Sequence, residues 1–263
     1  MNRKTIFFDL DGTLLGTRDG RMFQIPESAV FALNELKRNG HRVAVCSGRP
    51  EPFIHRFFPG LFRSFVASNG THVVFEGHTV FDGTFPPERV RALMEHFDAF
   101  GCRYLFVGKN HAWARGIERG LFARLGANYA LPGFLVADWK PEEIRANMMD
   151  FVFRDEEDYR RQEKAFTGGM VMNRHPGGLT ADLSFADSDK ASGIARFLEF
   201  SGIPREDTVA FGDGYNDISM MKAVGCGVAM GNAVDEVKEA ADYVTEDLFR
   251  DGIYRGLKHL RLL

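Results

Sequence analysis

Short apolar runs alternate with amphipathic segments near both ends of the chain. Each run is apolar at successive positions, which predicts a strand that is buried on both faces. The segments between the runs carry apolar residues three or four positions apart, as Ala29, Leu33 and Leu36 do, which predicts helices. Strands that alternate with helices predict a parallel sheet of the α/β class. The predicted strands cover residues 4–10, 42–46, 64–67, 208–211 and 228–230.

Proline, glycine and turn signals complete this first pattern. Pro26 and Gly40 mark the start and the end of the first helix, because proline suits the first helical position and glycine suits the position after the last. Another helix is predicted over residues 191–200. Residues 73–81 predict a hairpin that turns at Glu76-Gly77, and residues 12–24 predict a Gly-rich, charged loop.

The pattern changes in the middle of the chain. Pro86-Pro87 opens a predicted helix that runs to about residue 100. A helical segment at 155–166 and four strand-like segments follow, at residues 104–107, 147–153, 169–173 and 179–183. The first pattern returns from Lys190. We therefore expect an α/β fold with a Rossmann-like parallel-sheet core of residues 1–83 and 188–263, interrupted by an inserted α/β cap domain of residues 84–187.

Composition narrows the class of partners. The net charge of −3 argues against general nucleic-acid binding, which needs a basic face. No apolar run approaches 18 residues, so we expect no membrane partner. The N-terminus shows no signal-peptide pattern, and the three cysteines are far apart, as in a reduced, cytoplasmic protein. We expect a monomer or a weak dimer.

Two carboxylates end the first predicted strand. Asp9 and Asp11 are two positions apart, so in an extended chain they project to the same side. Two like charges this close are unfavourable unless a cation joins them or one of them holds a proton. The pair can supply a nucleophile that attacks phosphorus and a general acid/base for the leaving oxygen. The alternative is a surface Asp-Gly turn with a neighbouring aspartate.

Two further positions can bind phosphate. Ser47-Gly48-Arg49 follows the second predicted strand, where a hydroxyl and the amides at a helix N-terminus favour an anion. The alternative is an N-cap serine with a turn glycine. Lys190 can neutralise phosphate charge as a point cation, and the alternative is a solvated lysine in a charged stretch.

A second acidic motif follows the strand of residues 208–211. Residues 212–217 read Gly-Asp-Gly-Tyr-Asn-Asp, which places Asp213 and Asp217 about one helical turn apart. With Asp9 they give three carboxylates, a set of oxygen ligands suited to Mg²⁺. Ligands of open α/β sheets bind beyond the carboxyl ends of the strands, so these distant motifs can converge. The alternative is helix capping by Asp213 or Asn216, with Asp217 in the first turn.

Taken in order, the motifs resemble those of the haloacid dehalogenase superfamily, and the resemblance covers the whole chain. They are Asp9-Leu10-Asp11-Gly12-Thr13, Ser47-Gly48-Arg49, Lys190 and Gly212-Asp213-Gly214-Tyr215-Asn216-Asp217. The insertion resembles the cap of the Cof-type phosphatases, which are similar to bacterial sugar-phosphate phosphatases. Two departures are small: Ser47 stands where threonine is commoner, and the glycine often found directly after the lysine is displaced to Gly193.

The resemblance implies a different role for each of the four aspartates. Asp9 is the nucleophile and an Mg²⁺ ligand. Asp11 is the acid/base, and its backbone carbonyl binds the metal. Asp213 binds Mg²⁺, and Asp217 binds it directly or through water.

The resemblance also assigns the phosphate contacts. Ser47 and Gly48 hold the phosphoryl group, and Lys190 fixes its charge. Asn216 contacts the phosphate or orients Lys190.

Residues outside these motifs are expected to choose the leaving group, since a cap can exclude water and admit only fitting substrates. The candidates are Asn69, Trp113, Arg115, Arg174 and His175. The stretch Asn173-Arg174-His175-Pro176-Gly177 resembles a cap loop that faces the catalytic site. The alternative is a basic turn on the cap surface.

These expectations define an enzyme that hydrolyses a small phosphorylated metabolite, first a sugar phosphate, with Mg²⁺ and an aspartyl-phosphate on Asp9. The alternatives that remain open are a phosphotransferase or phosphomutase, a pyridoxal-phosphate or nucleotide phosphatase, and a binding module without activity. A halide-releasing enzyme is disfavoured, because Asp11 suits proton transfer to a phosphate leaving oxygen. An ion-pump ATPase is excluded by the missing apolar spans.

Overall fold

A computed structural model describes residues 3–175, 179–185 and 188–263 of the chain. This part contains sixteen strands, which are β1 (Thr5–Phe8), β2 (Gly16–Arg18), β3 (Arg21–Gln24), β4 (Arg42–Cys46), β5 (Phe65–Ala67), β6 (His72–Phe75), β7 (His78–Asp82), β8 (Tyr104–Gly108), β9 (Ala112–Arg115), β10 (Leu135–Val136), β11 (Ala146–Val152), β12 (Met170–Arg174), β13 (Thr180–Phe185), β14 (Thr208–Gly212), β15 (Cys226–Ala229) and β16 (Tyr243–Val244). It also contains nine α-helices, which are α1 (Glu27–Arg38), α2 (Glu51–Phe57), α3 (Pro87–Ala99), α4 (Arg119–Tyr129), α5 (Glu156–Glu163), α6 (Lys190–Ser201), α7 (Asp217–Ala223), α8 (Asp235–Ala240) and α9 (Gly252–His259). None of these helices is both long enough and apolar enough to cross a membrane.

The chain divides into two compact units. The first comprises residues 3–47, 60–81 and 189–263, and the second comprises residues 48–59, 82–175, 179–185 and 188. The second unit therefore includes α2, which the sequence pattern placed in the first domain. Residue 187, where the sequence pattern ends the insertion, lies outside the described residues.

An eight-stranded sheet forms the centre of the first unit, in the order β16-β15-β14-β1-β4-β5-β6-β7. The neighbours from β16 to β5 are parallel, and β6 pairs antiparallel with β5. The predicted parallel α/β core is thus confirmed. Since β1 lies between β4 and β14, the carboxyl ends of these three strands are neighbours at one edge.

Helices cover both faces of this sheet, and every residue of β1 is buried. Successive side chains of a strand point to opposite faces. Phe7 packs edge-on against Phe197 of α6, with ring centroids 5.0 Å apart, whereas Phe8 stacks on Phe211 of β14 at 5.3 Å. A Cβ at Gly256 would lie 2.7 Å from the Phe211 ring, so α9 packs closely on the second face. A strand buried on both faces is what the continuous apolar run predicts.

The predicted loop over residues 12–24 was wrong in part, because β2 and β3 form an antiparallel hairpin there. The turn residues Asp19 and Gly20 both adopt left-handed conformations, with φ of 52° and 72°. Two left-handed residues make the turn that suits the twist of a hairpin, and Asp-Gly is a preferred sequence for it. The signal was present, but the strands on either side are short and mostly exposed, with no regular alternation of apolar and polar residues.

The second unit is built on a six-stranded sheet in the order β10-β9-β8-β11-β13-β12. Successive side chains of β8 point to opposite faces of this sheet. Tyr104 and Phe106 pack in one apolar cluster with α3 and α5, and Leu105 and Val107 pack in another with α4. Sequence pattern alone did not resolve β9, α4 or β10. The helix α4 carries two glycines, which lower helix propensity and weaken its apolar stripe.

Candidate active site

Polar residues follow three neighbouring strands of the first unit at the same sheet edge. Asp9 follows β1, Ser47 follows β4 and Asp213 follows β14. Phe8 of β1 is in register with Phe211 on one side and Val45 on the other, so the strands end at nearly the same level. The expected convergence of these motifs therefore follows directly from the strand order.

A buried lysine joins two carboxylates at this edge. Lys190 is 1 % exposed, and Asp9 and Asp217 are 6 % and 0 % exposed. Lys190 Nζ lies 2.8 Å from Asp9 Oδ1 and 2.5 Å from Asp217 Oδ1. Lys190 is the first residue of α6, which delivers its side chain to the strand ends. The reading of Lys190 as a solvated lysine is therefore wrong.

The loop after β14 is fixed by the carboxylate of Asp217, the first residue of α7. The other oxygen of Asp217, Oδ2, accepts hydrogen bonds from the backbone N–H groups of Asp213 at 2.8 Å and Gly214 at 2.9 Å. Each oxygen of Asp217 thus has a partner of positive character. This arrangement fixes the direction of the Asp213 backbone and the start of α7.

Gly12 and Thr13 fit closely around Asp213. Thr13 Oγ1 donates a hydrogen bond of 2.7 Å to Asp213 Oδ1. Gly12 has φ of +87°, and a Cβ there would lie 2.0 Å from Asp213 Oδ2, so no other residue fits without displacing this carboxylate. Thr13 belongs to the first motif, but the sequence alone indicated no role for it. In the structure its hydroxyl orients the carboxylate of Asp213.

Burial controls protonation at the site. Burial raises the pKa of Asp9 to about 7, although Lys190 acts in the opposite direction. Burial, together with the charges of Asp9 and Asp217, raises the pKa of Asp213 well above its ordinary value. Burial lowers the pKa of Lys190, but the two carboxylates outweigh it and raise this pKa, so the lysine stays protonated.

The donor set fits a divalent metal ion. One carboxylate oxygen from each of Asp9, Asp213 and Asp217 lies within 4.8 Å of the others. Carboxylate oxygens are the ligands that Mg²⁺ prefers. Lys190 balances one of the three charges, which leaves two negative charges when all three aspartates are ionised. One Mg²⁺ ion, with two positive charges, would balance these two negative charges.

The other predicted members of the site follow the ends of β1 and β4. The side chain of Asp11 is exposed, as suits a group that exchanges protons with substrate and water. Ser47 is buried, and its N–H donates to Val66 O at 2.8 Å. Gly48 and Arg49 belong to the second unit, where Arg49 Nη1 donates to Asn128 O at 2.7 Å.

Two asparagines connect separate parts of the first unit. Asn216 Nδ2 donates a hydrogen bond of 3.1 Å to Asn69 Oδ1. Asn232 Nδ2 donates to Gly12 O at 2.9 Å, and its Oδ1 accepts from Leu248 N–H at 2.9 Å. Sequence analysis assigned no role to Asn232; the available signal was its position shortly after β15, at the same edge of the sheet.

Two specificity candidates of the second unit have structural partners. Trp113 is 6 % exposed and belongs to the apolar cluster with Phe106, which favours a packing role. Arg115 forms an ion pair of 2.8 Å with Asp98. Neither contact tests a role in substrate selection, so the roles of both residues remain predictions.

The other two candidates end β12. Arg174 pairs with Glu156 at 2.6 Å, and its guanidinium lies 4.1 Å from the centroid of the Tyr159 ring. His175 Nε2 lies 3.0 Å from Asp182 Oδ1. The next residues of the predicted cap loop, 176–178, lie outside the described residues.

The pair of His175 and Asp182 predicts a pH-dependent contribution to stability. Burial lowers the pKa of His175, but the charge of Asp182 and the hydrogen bond to it outweigh burial and raise this pKa to about 9. A raised pKa in the folded state stabilises the fold fully below the unfolded pKa, and this stabilisation is lost as the pH rises through about 9. The side chain of His175 is 44 % exposed, so screening keeps the effect near ~1 kcal/mol.

His175→Gln should therefore lower the free energy of unfolding by ~1 kcal/mol at about pH 6 and by much less above about pH 9.5. Thermal unfolding of both proteins across this range measures the difference. His78→Gln, at an exposed position of the first unit, is the control and should change little. A deficit for His175→Gln that stays constant with pH would contradict the charged pair.

Comparison with known proteins places this chain in one class, hydrolases of the haloacid dehalogenase type. The chain belongs to the family of haloacid dehalogenase-like hydrolases, which matches residues 6–257. YkrA of Bacillus subtilis (strain 168) is 34 % identical over 269 residues, which is 100 % of each chain. The 5-amino-6-(5-phospho-D-ribitylamino)uracil phosphatase YbjI of Escherichia coli (strain K12) is 28 % identical and aligns over 98 % of each chain.

The fold agrees with solved structures of the family. The structure of the HAD subclass IIB sugar phosphatase BT4131 matches with a TM-score of 0.82 and 27 % identity, over 99 % of this chain and 100 % of that chain. The predicted superfamily and the predicted α/β fold are thus confirmed. The protein is an enzyme of the phosphatase branch of this family.

Proposed function

We propose that the protein hydrolyses a small phosphate monoester, first among them a sugar phosphate, with Mg²⁺ and through an aspartyl-phosphate. The observation that carries this proposal is the cluster of buried Asp9, Asp217 and Lys190 with half-buried Asp213, in which two negative charges stay unbalanced when all three aspartates are ionised. Mg²⁺ held by the three aspartates would supply positive charge beside the phosphoryl oxygens and keep Asp9 ionised. Phosphoryl transfer is promoted mainly by such positioning and charge.

Asp9 is the proposed nucleophile. Its N–H donates to Phe211 O at 2.9 Å, so the backbone is fixed at the point where the side chain attacks phosphorus. The Asp9 oxygen forms a bond to phosphorus as the bond to the leaving oxygen breaks. Lys190, held between Asp9 and Asp217, provides a fixed positive charge for the phosphoryl oxygens.

Asp11 is the proposed acid/base. Its exposed side chain gives a proton to the leaving oxygen and then takes one from the water that hydrolyses the aspartyl-phosphate. Ser47 and Gly48, which follow β4 directly, are proposed to donate hydrogen bonds to the phosphoryl group. Asn216 is proposed to donate another.

Substrate choice is proposed to lie with residues of the second unit. The full-length relatives are named for different substrates, and a sugar phosphate agrees with the name of the structural relative described above. We retain Arg174 and His175 as the first specificity residues, followed by Arg115, because each is a polar group at the end of a strand of the second unit. The cytoplasm is the proposed location, because the three cysteines, two of them buried, are free.

The proposal predicts metal-dependent phosphate release. Purified protein should release phosphate from an aryl phosphate with Mg²⁺, and chelation by EDTA should lower the rate by at least about 10³-fold, since the unbalanced carboxylates repel an anionic substrate. A panel of sugar phosphates, nucleotides and pyridoxal phosphate then ranks substrates by kcat/KM. No release from any member, with or without an acceptor sugar, would contradict the proposed activity. Transfer to the sugar in preference to water would instead identify a phosphotransferase.

Arg174→Ala tests the specificity assignment. We expect kcat/KM to fall by about tenfold for the best substrate and less than about twofold for a small aryl phosphate, because a charged hydrogen bond to the leaving group is lost. Arg160→Ala removes a neighbouring exposed arginine, 4.0 Å from the same Glu156, and serves as the matched control. An equal loss on both substrates would remove Arg174 from substrate selection.

A further inference from the structure

Three consecutive residues after β5 adopt left-handed backbone conformations. The values of φ are 50° for Ser68, 51° for Asn69 and 88° for Gly70. Such conformations are uncommon outside glycine, although asparagine tolerates them better than most residues. Strained backbone of this kind persists only where its surroundings hold it, and it concentrates at functional sites.

The surroundings of this turn belong to the catalytic edge of the first unit. Asn69 N–H donates to Ser47 O at 3.1 Å, and both Thr71 N–H and Thr71 Oγ1 donate to Ser68 O, at 3.2 and 2.7 Å. The first bond connects the turn to the residue that follows β4, and the other two close the turn itself. The strained turn is therefore fixed to one of the strand ends that build the site.

The turn also contacts the start of the lysine helix through backbone atoms. A Cβ at Gly70 would lie 2.0 Å from Asp189 O, and a Cβ at Gly193 would lie 2.6 Å from Gly70 Cα. Only two glycines allow the chain to cross at this distance. The glycine displaced from its usual place after Lys190 therefore has a task at position 193, which is to let α6 approach the turn.

The side chain of Asn69 points from this turn to Asn216. Asn69 is 3 % exposed, and its Oδ1 accepts the hydrogen bond of 3.1 Å from Asn216 Nδ2. Asn216 immediately precedes Asp217, the first residue of α7. The two residues lie 147 positions apart in the chain, so the bond joins two separate motifs of the site.

We propose that Asn69 is a positioning residue that orients the side-chain amide of Asn216 for phosphate, and this assignment rests on the proposed function. A side-chain amide nitrogen carries two protons. Asn69 Oδ1 takes one of them and thereby fixes the plane of the Asn216 amide, so the second proton has a fixed direction in which to meet a phosphoryl oxygen. Asn69 acts through Asn216, not on the leaving group.

A double-mutant cycle tests this assignment. Asn69→Gly removes the acceptor oxygen while retaining a residue that adopts the left-handed conformation. We expect kcat/KM to fall about tenfold in Asn69→Gly and to change less than about twofold when the same substitution is made in the Asn216→Ala protein. The same cycle is measured on the affinity for inorganic phosphate by calorimetry with Mg²⁺ present.

Ser68→Gly is the matched control. It relaxes the neighbouring left-handed residue of the same turn and retains the Asn69 amide, so we expect kcat/KM close to that of the unmodified protein. A loss in Ser68→Gly as large as in Asn69→Gly would overturn the proposal, since backbone strain and not the amide would then matter.

The outcomes separate this proposal from the proposed function. Additive losses in the double variant, in a protein that hydrolyses esters, would overturn the role of Asn69 alone. Coupled losses of phosphate affinity, in a protein that hydrolyses no ester of the panel, would support the role of Asn69 and overturn the hydrolytic activity alone. An Asn69→Gly protein with unchanged kcat/KM and unchanged phosphate affinity would also overturn the positioning role.

Discussion

Asp9→Asn should lower kcat by at least about 10³-fold while the protein stays folded. An amide cannot attack phosphorus as a carboxylate does, and loss of a nucleophile typically removes most of the catalysis. The fold should survive because asparagine has the same shape and because the backbone bond from residue 9 to Phe211 O does not involve the side chain. Burial already disfavours the ionised form of Asp9, so a neutral amide adds no buried charge.

Phosphate release and thermal unfolding are the two measurements for Asp9→Asn. The matched control is Asp207→Asn, since Asp207 also pairs with a lysine, Lys4, at 2.6 Å, but at the other end of the same strands. The control should retain kcat within about twofold, because this partly exposed pair lies far from the strand ends that carry the site. An Asp9→Asn protein with kcat within tenfold of the unmodified enzyme would contradict the assignment of Asp9 as the nucleophile.

Lys190→Met should reduce both activity and stability. The substitution leaves the carboxylates of Asp9 and Asp217 buried without their cation. Removal of one partner of a buried ion pair costs about 3–5 kcal/mol, because the remaining charge keeps its desolvation penalty. Loss of the fixed charge beside the phosphoryl group should lower kcat/KM by at least about 10²-fold.

Denaturant unfolding with EDTA, and again with Mg²⁺, separates the two effects of Lys190→Met. The deficit should be largest with EDTA and smaller with Mg²⁺, since Mg²⁺ replaces part of the positive charge that the variant lacks and therefore stabilises the variant more than the unmodified protein. Lys4→Met is the control for a partly exposed lysine in an ion pair and should cost less than about 1 kcal/mol. Unchanged stability of Lys190→Met with EDTA would contradict the buried ion pair as a structural element.

The fold class could be predicted because its causes are local in the sequence. The strand Arg42–Cys46 was predicted with its observed bounds, since an apolar run between charged and turn residues leaves one extended solution. The hairpin of β2 and β3 escaped prediction because its strands are short and mostly exposed and show no regular alternation of apolar and polar residues. The sequence also did not predict that residues 48–59 belong to the second unit. Tertiary packing decides this assignment, and the residue pattern of α2 carries no signal for it.

The site was predicted to the extent that its chemistry is written in residue types. Carboxylates two or four positions apart at the ends of buried strands favour a metal and an acid/base, and Asp9, Asp213 and Asp217 do lie together. Lys190 is the opposite case. Its neighbours Ser188 and Asp189 suggest an exposed lysine. It is buried because its side chain contacts Asp9, which lies 181 positions away in the chain.

By itself the sequence determined the parallel sheet and the acidic ends of its strands, because periodicity and ligand chemistry act over a few residues. The tertiary structure alone decided which polar residues support that site. Thr13 against Asp213, Asn69 against Asn216 and Asn232 against Gly12 are contacts between residues far apart in the chain. Hydrogen bonds of this kind depend on distances that are fixed when strands and helices pack, and no local pattern encodes them.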